Sequence, residues 1–169
     1  MRLKGKAMRE NFRPALTIIL AKEAGFVNNP NDPGGATNLG ITLGTARAWN
    51  LDEDHNGLVD VRDVRLLTPD IVGPVYKAGY WDTMGGDGLP GGTDLMAFDC
   101  AVNQGSGFAK RLVAHVAGEL DPITTMRALR ESRYRDNHNF HIFGRGWLAR
   151  LAEITATSRQ WEAGNKPSS

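Results

Sequence analysis

The sequence predicts a single, mainly α-helical domain over residues 1–169, with β structure limited to a small hairpin near residues 27–42. Three observations favour this fold class. Several segments repeat apolar residues at a spacing of three and four, which is the period of one helical face. Alternating apolar and polar runs, internal repeats and low-complexity tracts are absent from the sequence. A content of 41% apolar and 23% charged residues is typical of a globular chain that can bury a core.

Charge and cysteine content exclude several classes of protein. A formal net charge of +1 provides no concentrated basic surface, so we expect no nucleic-acid partner. No apolar run reaches the length of a membrane span, so we expect no stable membrane insertion. We also expect a monomer. The basic chain start lacks the apolar core of a secretory signal. The single Cys100, in an apolar setting, predicts a buried thiol rather than a nucleophile.

The first predicted helix runs from Phe12 to about Ala24, with Asn11 as its cap. Glu23 follows Ile19 by four residues, so it lies on the same helical face as that apolar side chain. A carboxyl group on a buried stripe is partly desolvated, which raises its pKa and suits a general acid. Glu23 is therefore a candidate proton donor.

The loop after this helix carries a second carboxylate, Asp32, among prolines and glycines that force the chain to turn. We expect the loop to double back and place Asp32 opposite Glu23, with Thr37 holding a water or a substrate oxygen between them. Two carboxyl groups in unlike environments are the pair that glycoside hydrolysis needs. On the pattern alone a surface helix followed by a connecting loop is favoured instead, because one carboxylate pair is a weak motif.

Residues 23–28 (EAGFVN) and 32–42 (DPGGATNLGIT) resemble the signature of the family 108 glycoside hydrolases, which are lysozyme-like N-acetylmuramidases that include many phage endolysins. Residues 76–82, 98–105 and 143–150 are similar to later blocks of the family. The resemblance implies a lysozyme-like fold with Glu23 as the catalytic acid. It also implies a catalytic part over about residues 8–105 and a helical, peptidoglycan-binding part over about 106–162.

Three residues are candidates for substrate binding. Trp81 ends a predicted helix before a glycine-rich loop, and its ring is equally suited to stack on a sugar or to fill the core. Asp99 and Asn103 lie four residues apart on one face of a helix that is apolar almost all round. The resemblance implies that these two border the substrate groove; the alternative is a satisfied internal polar network.

Residues 52–63 (DEDHNGLVDVRD) match the calcium-binding loop of an EF-hand, with a glycine at the sixth position and predicted helices on both sides. Position twelve is an aspartate instead of the usual glutamate, so magnesium could compete. The alternative is an acidic turn that caps the following helix at Asp60. We expect a structural calcium ion with no part in catalysis, held by Asp52, Asp54, Asn56, the Leu58 carbonyl group, Asp60 and Asp63.

The remaining helices are predicted over Leu43–Asn50, with Ala46 and Trp49 inward, and over residues 69–80, 95–104, 108–118, 122–134 and 147–161. A Thr68-Pro69 pair starts the second of these. His138 and His141 are expected in a loop. A basic helix face is expected to be solvated, or alternatively to contact peptide-stem carboxylates; its members are Arg127, Arg130, Arg133 and Arg135.

Three functions remain open on the sequence. The first is a muramidase that hydrolyses the β-1,4 bond between N-acetylmuramic acid and N-acetylglucosamine, by a retaining or an inverting route. The second is a lytic transglycosylase of the same fold. The third is a non-catalytic, calcium-dependent wall-binding or secretion-accessory protein. In each case the expected partner is bacterial peptidoglycan, reached from the host cytoplasm through a holin-type pore.

Overall fold

A computed structural model describes residues 11–28 and 35–164 of the chain. Within these ranges the structure has eight α-helices and one two-stranded hairpin, which confirms the mainly helical prediction. The helices are α1 Phe12–Leu20, α2 Leu43–Ala48, α3 Val61–Leu66, α4 Pro69–Tyr76, α5 Thr93–Gln104, α6 Ser106–His115, α7 Pro122–Arg135 and α8 Phe140–Glu162, and the strands are β1 Thr37–Asn38 and β2 Ile41–Thr42. None of the helices described here has both the length and the apolar character needed to cross a bilayer.

The chain divides into two compact units. The first is Leu16–Ala78, and the second comprises, of the described residues, 11–15 and 79–164. The predicted catalytic part over about residues 8–105 and the helical part over about residues 106–162 stay predictions. The prediction of a single domain stays a prediction.

In the first unit, β1 and β2 form an antiparallel hairpin in which Thr37 pairs with Thr42 and Asn38 with Ile41. Its two turn residues, Leu39 and Gly40, have φ angles of 49° and 73°. Positive φ at both central positions matches the twist of a two-residue hairpin turn to that of its strands. The small hairpin expected near residues 27–42 is therefore present.

Side-chain caps start three helices of this unit. The Thr42 and Thr68 hydroxyl groups accept the Thr45 and Ile71 N–H groups, and a proline occupies the first turn of α4, as predicted. Asp60 caps α3 and accepts the N–H of Arg62. Ala46 is buried as predicted, but Trp49 is 42% exposed, so the prediction that it points inward is wrong. α2 ends at Ala48, so Trp49 leaves the helical face that carries Ala46.

The second unit is built around α5, in which every residue from Thr93 to Ala101 is buried. Helices α6, α7 and α8 all pack against it. Phe12, Trp81 and Phe98 form an aromatic cluster beside it, with ring centroids 5.3 to 5.9 Å apart. Helix α5 is therefore apolar on nearly all sides because it lies at the centre of this unit.

Helix α8 begins at Phe140, seven residues before the predicted start at Trp147. Gly144, four residues after Phe140, makes this early start possible, because a Cβ there would lie 2.5 Å from the Phe140 ring. His141 consequently lies in the helix and not in a loop, with its Nδ1 2.9 Å from the His138 carbonyl oxygen. The expectation of a loop over both histidines is wrong for His141.

Candidate active site and metal loop

Glu23 lies just beyond helix α1 and is half-buried. The helix ends at Leu20, earlier than predicted, because the backbone tightens into shorter turns. The Lys22 N–H donates to the Ile19 carbonyl group at 2.9 Å, and the Glu23 N–H donates to the Leu20 carbonyl group at 3.1 Å. This i→i+3 pattern is common where a helix ends. It places Glu23 in the bend that leads into the hairpin segment instead of on the helix itself.

The Glu23 side chain lies against the hairpin turn, beside Gly40 and Tyr76. A Cβ on Gly40 would lie 3.4 Å from Glu23 Oε2 and 3.5 Å from its Cγ, and would overlap the Tyr76 hydroxyl group. That hydroxyl group donates a hydrogen bond of 3.0 Å to the Leu39 carbonyl oxygen. Tyr76 is a site residue that sequence reasoning missed. The sequence offered two signals for it: a tyrosine on the apolar face of α4, and its place in residues 76–82, which are similar to the family pattern.

Thr37 lies in β1, where it is half-buried. Its backbone forms a two-way bridge with Val27, with both N–H···O=C bonds at 2.8 Å. The segment that leaves Glu23 therefore returns alongside the strand that carries Thr37, which is the reversal that the glycines and prolines predicted. Asp32, the third predicted catalytic residue, lies outside the described residues.

Phe26 in the EAGFVN segment supports Arg65, whose guanidinium carbon lies 4.2 Å from the centre of the Phe26 ring. Such cation–π contacts favour a fixed orientation of both groups. The contact connects the segment after Glu23 to helix α3, which follows the acidic loop. Phenylalanine thus has a packing role at this position.

Trp81 is 0% exposed, so the interpretation of its ring as a sugar platform is wrong and the core alternative holds. It packs edge-on against Phe12 and Phe98, and its indole N–H donates to Asp87 Oδ1 at 2.9 Å. Gly86 lies flat against the ring, since a Cβ there would approach the indole to less than 3 Å. The glycine-rich loop therefore covers Trp81 and leaves no face for a ligand.

Asp99 is also fully buried and forms a two-sided ion pair, so it does not border an open groove as the resemblance implied. Arg130 donates to Asp99 Oδ2 at 2.6 Å, and Arg150 donates to Asp99 Oδ1 at 2.9 Å. Arg130 is 0% exposed, which corrects its assignment to the solvated basic face. Burial opposes the charge on Arg130, but the pKa of Arg130 is raised, because the attraction of the Asp99 carboxylate acts together with smaller contributions from Cys100 and Tyr134.

Asn103 extends this polar network toward the surface. Its side-chain oxygen accepts a short hydrogen bond from the Tyr134 hydroxyl group, and Arg130 reaches the same hydroxyl group at 3.4 Å. Asn103 is half-buried, whereas Asp99 is enclosed. The alternative of an internal network therefore describes Asp99, while Asn103 lines an accessible cavity. Burial also raises the pKa of the neighbouring Cys100 thiol to about 11, as expected for an inert structural cysteine.

The acidic loop brings together three of its predicted ligands. Asp52, Asp54 and Asp63 each offer a carboxylate oxygen, and these oxygens lie within 4.8 Å of one another. Oxygens that share a calcium ion at 2.3–2.6 Å are separated by up to about 5 Å, so the spacing suits that ion. Gly57, at the sharp sixth position, has a φ of 86°, and Asn56 turns its side chain back to the Leu58 N–H at 2.9 Å.

Asp60 and Asp63 differ in their surroundings. Asp60 pairs with Arg62 at 2.9 Å and caps α3, so the capping alternative describes this residue, and it is not among the three clustered carboxylates. Asp63 is fully buried and accepts N–H groups from Glu53, Asp54 and Asp60 at 2.8, 3.2 and 2.8 Å. These bonds, the one from Asp60 foremost, lower the pKa of Asp63 and keep it ionised. Its remaining lone pairs can still reach a cation.

Asn38 connects the hairpin to the helix that follows the acidic loop. Its side-chain N–H₂ group donates to the Val64 carbonyl oxygen at 3.0 Å and lies 3.4 Å from those of Arg65 and Leu67. These carbonyl groups belong to the end of α3, where backbone acceptors lack helical partners. The Asn38 amide therefore fastens the hairpin to the C-terminal end of α3.

Comparisons with known proteins agree with this architecture. The chain is similar to the structure of Brucella abortus SagA, with a TM-score of 0.74 and 28% sequence identity, over 91% of this chain and 97% of that chain. The fold is lysozyme-like. A search of curated proteins gives no match. The family model described as Glycosyl hydrolase 108 matches residues 16–105. Because this match covers more than half of the sequence, the chain belongs to glycosyl hydrolase family 108, a family of glycosidases that degrade peptidoglycan.

Proposed function

We propose that the chain is an N-acetylmuramidase that hydrolyses the β-1,4 bond between N-acetylmuramic acid and N-acetylglucosamine, with Glu23 as the general acid. The observation that supports this most is the placement of Glu23. It is half-buried, lies outside helix α1, and contacts the hairpin turn at Gly40. A carboxyl group that packs against a hairpin turn and is still partly exposed to solvent can reach a bound substrate.

In this mechanism Glu23 gives its proton to the glycosidic oxygen as the bond from that oxygen to the sugar C1 breaks. The positive charge that develops at C1 is stabilised by Asp32, which alternatively orients the water that adds to C1. Thr37, on the strand paired to the segment after Glu23, assists by holding that water or a substrate oxygen. The water provides the new hydroxyl group at C1, and a carboxylate of the site accepts its remaining proton.

The test is a Glu23→Gln variant assayed by the turbidity of purified peptidoglycan, since glutamine keeps the size and removes the acid. We expect activity to fall at least about 100-fold, the usual contribution of a general acid. Glu153→Gln on α8, which changes an exposed carboxylate, is the matched control and should retain full activity. Lysis at a near wild-type rate by the Glu23 variant would remove the proposed assignment.

A lytic transglycosylase remains the second candidate, because a single glutamate suffices for that reaction. The same digests distinguish the two, because hydrolysis leaves a reducing N-acetylmuramic acid and transglycosylation leaves an anhydro end. We expect reducing ends by mass spectrometry. The anomer formed first, observed by NMR, then separates the retaining from the inverting route.

We also propose that the acidic loop binds calcium in a structural role through Asp52, Asp54 and Asp63, with Asn56 and the Leu58 carbonyl group as further ligands. The motif match and the spacing of the three carboxylates support it. Bound to this loop, the divalent ion would offset two of the three crowded negative charges and stabilise the fold of the first unit by mass action. It has no step in the reaction.

Thermal unfolding with and without a chelator tests the calcium proposal independently of activity. We expect chelation to lower Tm, millimolar calcium to restore it, and an equal concentration of magnesium to restore it less. Asp54→Asn should abolish the response, whereas Glu53→Gln, in the same loop but outside the cluster, should keep it. A Tm that calcium does not shift would contradict a metal site here.

We propose, finally, that the enzyme acts as an endolysin on the periplasmic face of its host after release through a pore. The family resemblance supports this role. Expression in a Gram-negative host with and without a co-expressed holin tests it. We expect the cells to lyse only when the holin is co-expressed. Cells that lyse equally early without the holin would contradict the proposal.

A further inference from the structure

A cavity of about 220 Å³ opens in the second unit between α5, α7 and α8. One cation and no carboxylate line it, together with side-chain amides and two aromatic rings. The lining residues are Asn103, Gln104, Arg133, Tyr134, Asn137 and Trp147. This composition suits a small anionic ligand that also carries amide groups.

Contacts with neighbouring side chains hold three residues of the cavity wall. Tyr134 and Trp147 stack with ring centroids 5.3 Å apart and an angle of 22° between planes. Gln104 is fixed from both ends of its amide, accepting from Arg130 Nε at 2.8 Å and donating to the Arg130 carbonyl group at 3.2 Å. Preorganised polar groups lose little entropy when they bind a ligand.

Asn103 brings a hydrogen-bond donor to the cavity. Its side-chain oxygen is occupied by the Tyr134 hydroxyl group, which fixes the orientation of the amide. Across residues 11–28 and 35–164 the structure shows no acceptor for its N–H₂ group. That group is thus available to a carbonyl oxygen of a bound molecule.

Arg133 provides the positive charge. Its guanidinium carbon lies 4.5 Å from the centre of the Phe108 ring, and no carboxylate of the described residues pairs with it. The other exposed arginines of α7 differ, since Arg127 and Arg135 lie 3.8 and 2.6 Å from Glu131. A guanidinium group without a carboxylate partner keeps N–H donors for the carboxylate of a bound molecule.

We propose that this cavity binds the free terminal carboxylate of a short peptide, which in the cell is a stem peptide of peptidoglycan. The choice of a stem peptide rests on the proposed function, because the glycan strand that the enzyme cleaves carries such stems. Arg133 receives the carboxylate in a two-point contact, the Asn103 amide donates to the preceding peptide carbonyl group, and the part-exposed Trp147 ring contacts the aliphatic side chain. A carboxylate is preferred to a phosphate because the amide-rich wall matches a peptide backbone.

The direct test is an NMR titration that follows the indole N–H of Trp147 with N-acetyl-D-alanyl-D-alanine, and with its C-terminal amide as the uncharged probe. We expect a saturable shift with the acid and binding at least about tenfold weaker with the amide, since a hydrogen bond to a charged group contributes that much. Arg133→Gln and Arg133→Lys should weaken the binding of the acid to a similar extent. The lysine variant does so because it loses the planar, forked donor group of arginine. Arg127→Gln, on the same helix, should bind like the wild type.

The proposal is overturned if the acid gives no saturable shift up to about 10 mM, or if the acid and the amide bind equally. It is also overturned if Arg133→Gln binds like the wild type while its Tm is unchanged. A second measurement compares cleavage of intact peptidoglycan with cleavage of glycan strands whose stems an amidase has removed. Arg133→Gln should lose activity on the intact wall and keep it on the stripped strands.

These outcomes are separable from the proposed muramidase activity. If the wild type cleaves neither substrate, the muramidase assignment fails, while the peptide titration still decides whether the cavity binds a carboxylate. Glu23→Gln, which lacks the acid, should bind the peptide with unchanged affinity. If Arg133→Gln loses activity equally on both substrates, the cavity does not contact the stem and this inference is wrong.

Discussion

Gly40 lies where any β-carbon would overlap the hydroxyl group of Tyr76, although 36 residues of chain separate the two. The hydroxyl group uses that space to donate to the Leu39 carbonyl oxygen at 3.0 Å, and the Glu23 side chain packs beside it. The hairpin turn, helix α4 and the candidate acid can therefore pack this closely only because residue 40 has no β-carbon. Glycine is required here twice, because φ is also 73°.

Gly40→Ala should therefore lower both stability and activity. We expect the free energy of unfolding to fall by about 1–3 kcal/mol from strain, and activity on peptidoglycan to fall at least about tenfold as Glu23 shifts. Adding Tyr76→Phe, which removes the overlapping hydroxyl group, should recover part of the activity. Gly146→Ala is the control, since its Cβ would meet open space within α8. Equal effects of the two alanine variants would contradict this packing.

Arg130→Met should be among the most destabilising single changes in the second unit. It leaves the buried Asp99 carboxylate with Arg150 alone, and breaking a buried pair typically costs about 3–5 kcal/mol. Urea unfolding measures the loss. Arg127→Met, which changes an exposed arginine, should stay within about 0.5 kcal/mol of the wild type. If the two variants have the same free energy of unfolding, the ion pair between Arg130 and Asp99 does not stabilise the fold.

Trp81→Phe distinguishes core packing from substrate stacking. We expect a loss of about 1–3 kcal/mol in the free energy of unfolding, because the smaller ring leaves a cavity and loses the hydrogen bond to Asp87. KM for peptidoglycan should be unchanged below the unfolding temperature. A raised KM with full stability would instead restore the stacking interpretation. Trp49→Phe, at a tryptophan that is partly exposed, serves as the control.

The two ends of helix α7 predict opposite responses to removal of a carboxylate. Asp121 caps the N-terminus, and its bonds from Thr124 and Arg159 lower its pKa below the ordinary 3.8. Its stabilising contribution is therefore complete above about pH 4 and is lost as pH falls through the lowered value. Asp121→Ala should lower Tm at pH 7, and the difference from the wild type should shrink below about pH 4.

Asp136, at the C-terminal end of the same helix, is the matched control for this pH dependence. A negative charge there opposes the helix dipole, so Asp136→Ala should leave Tm unchanged or slightly raised at pH 7. Asp121→Asn should retain most of the cap at neutral pH. A Tm difference for Asp121→Ala that stays constant from pH 7 to pH 3 would contradict the ion-paired cap.

Local chemistry explains what could be predicted about the fold. Thr42, the Thr68-Pro69 pair and Asp121 start helices where the sequence indicated, because a cap needs only the residue and the two or three that follow it. Gly57 turns the acidic loop for the same reason. The sequence also singled out Glu23 and Thr37, although it placed Glu23 on the helix and not after it.

By itself, then, the sequence determined the helical class, the capped starts of α2, α4 and α7, the acidic loop and the segment that carries Glu23. Only the tertiary structure decided that Trp81 lies in the core, that Asp99 pairs with Arg130, and that Tyr76 meets Gly40. The physical reason is the range of the interactions. A cap or a turn is fixed by neighbours in the chain, whereas burial and ion pairing depend on side chains 30 or more residues apart, which no local pattern brings together.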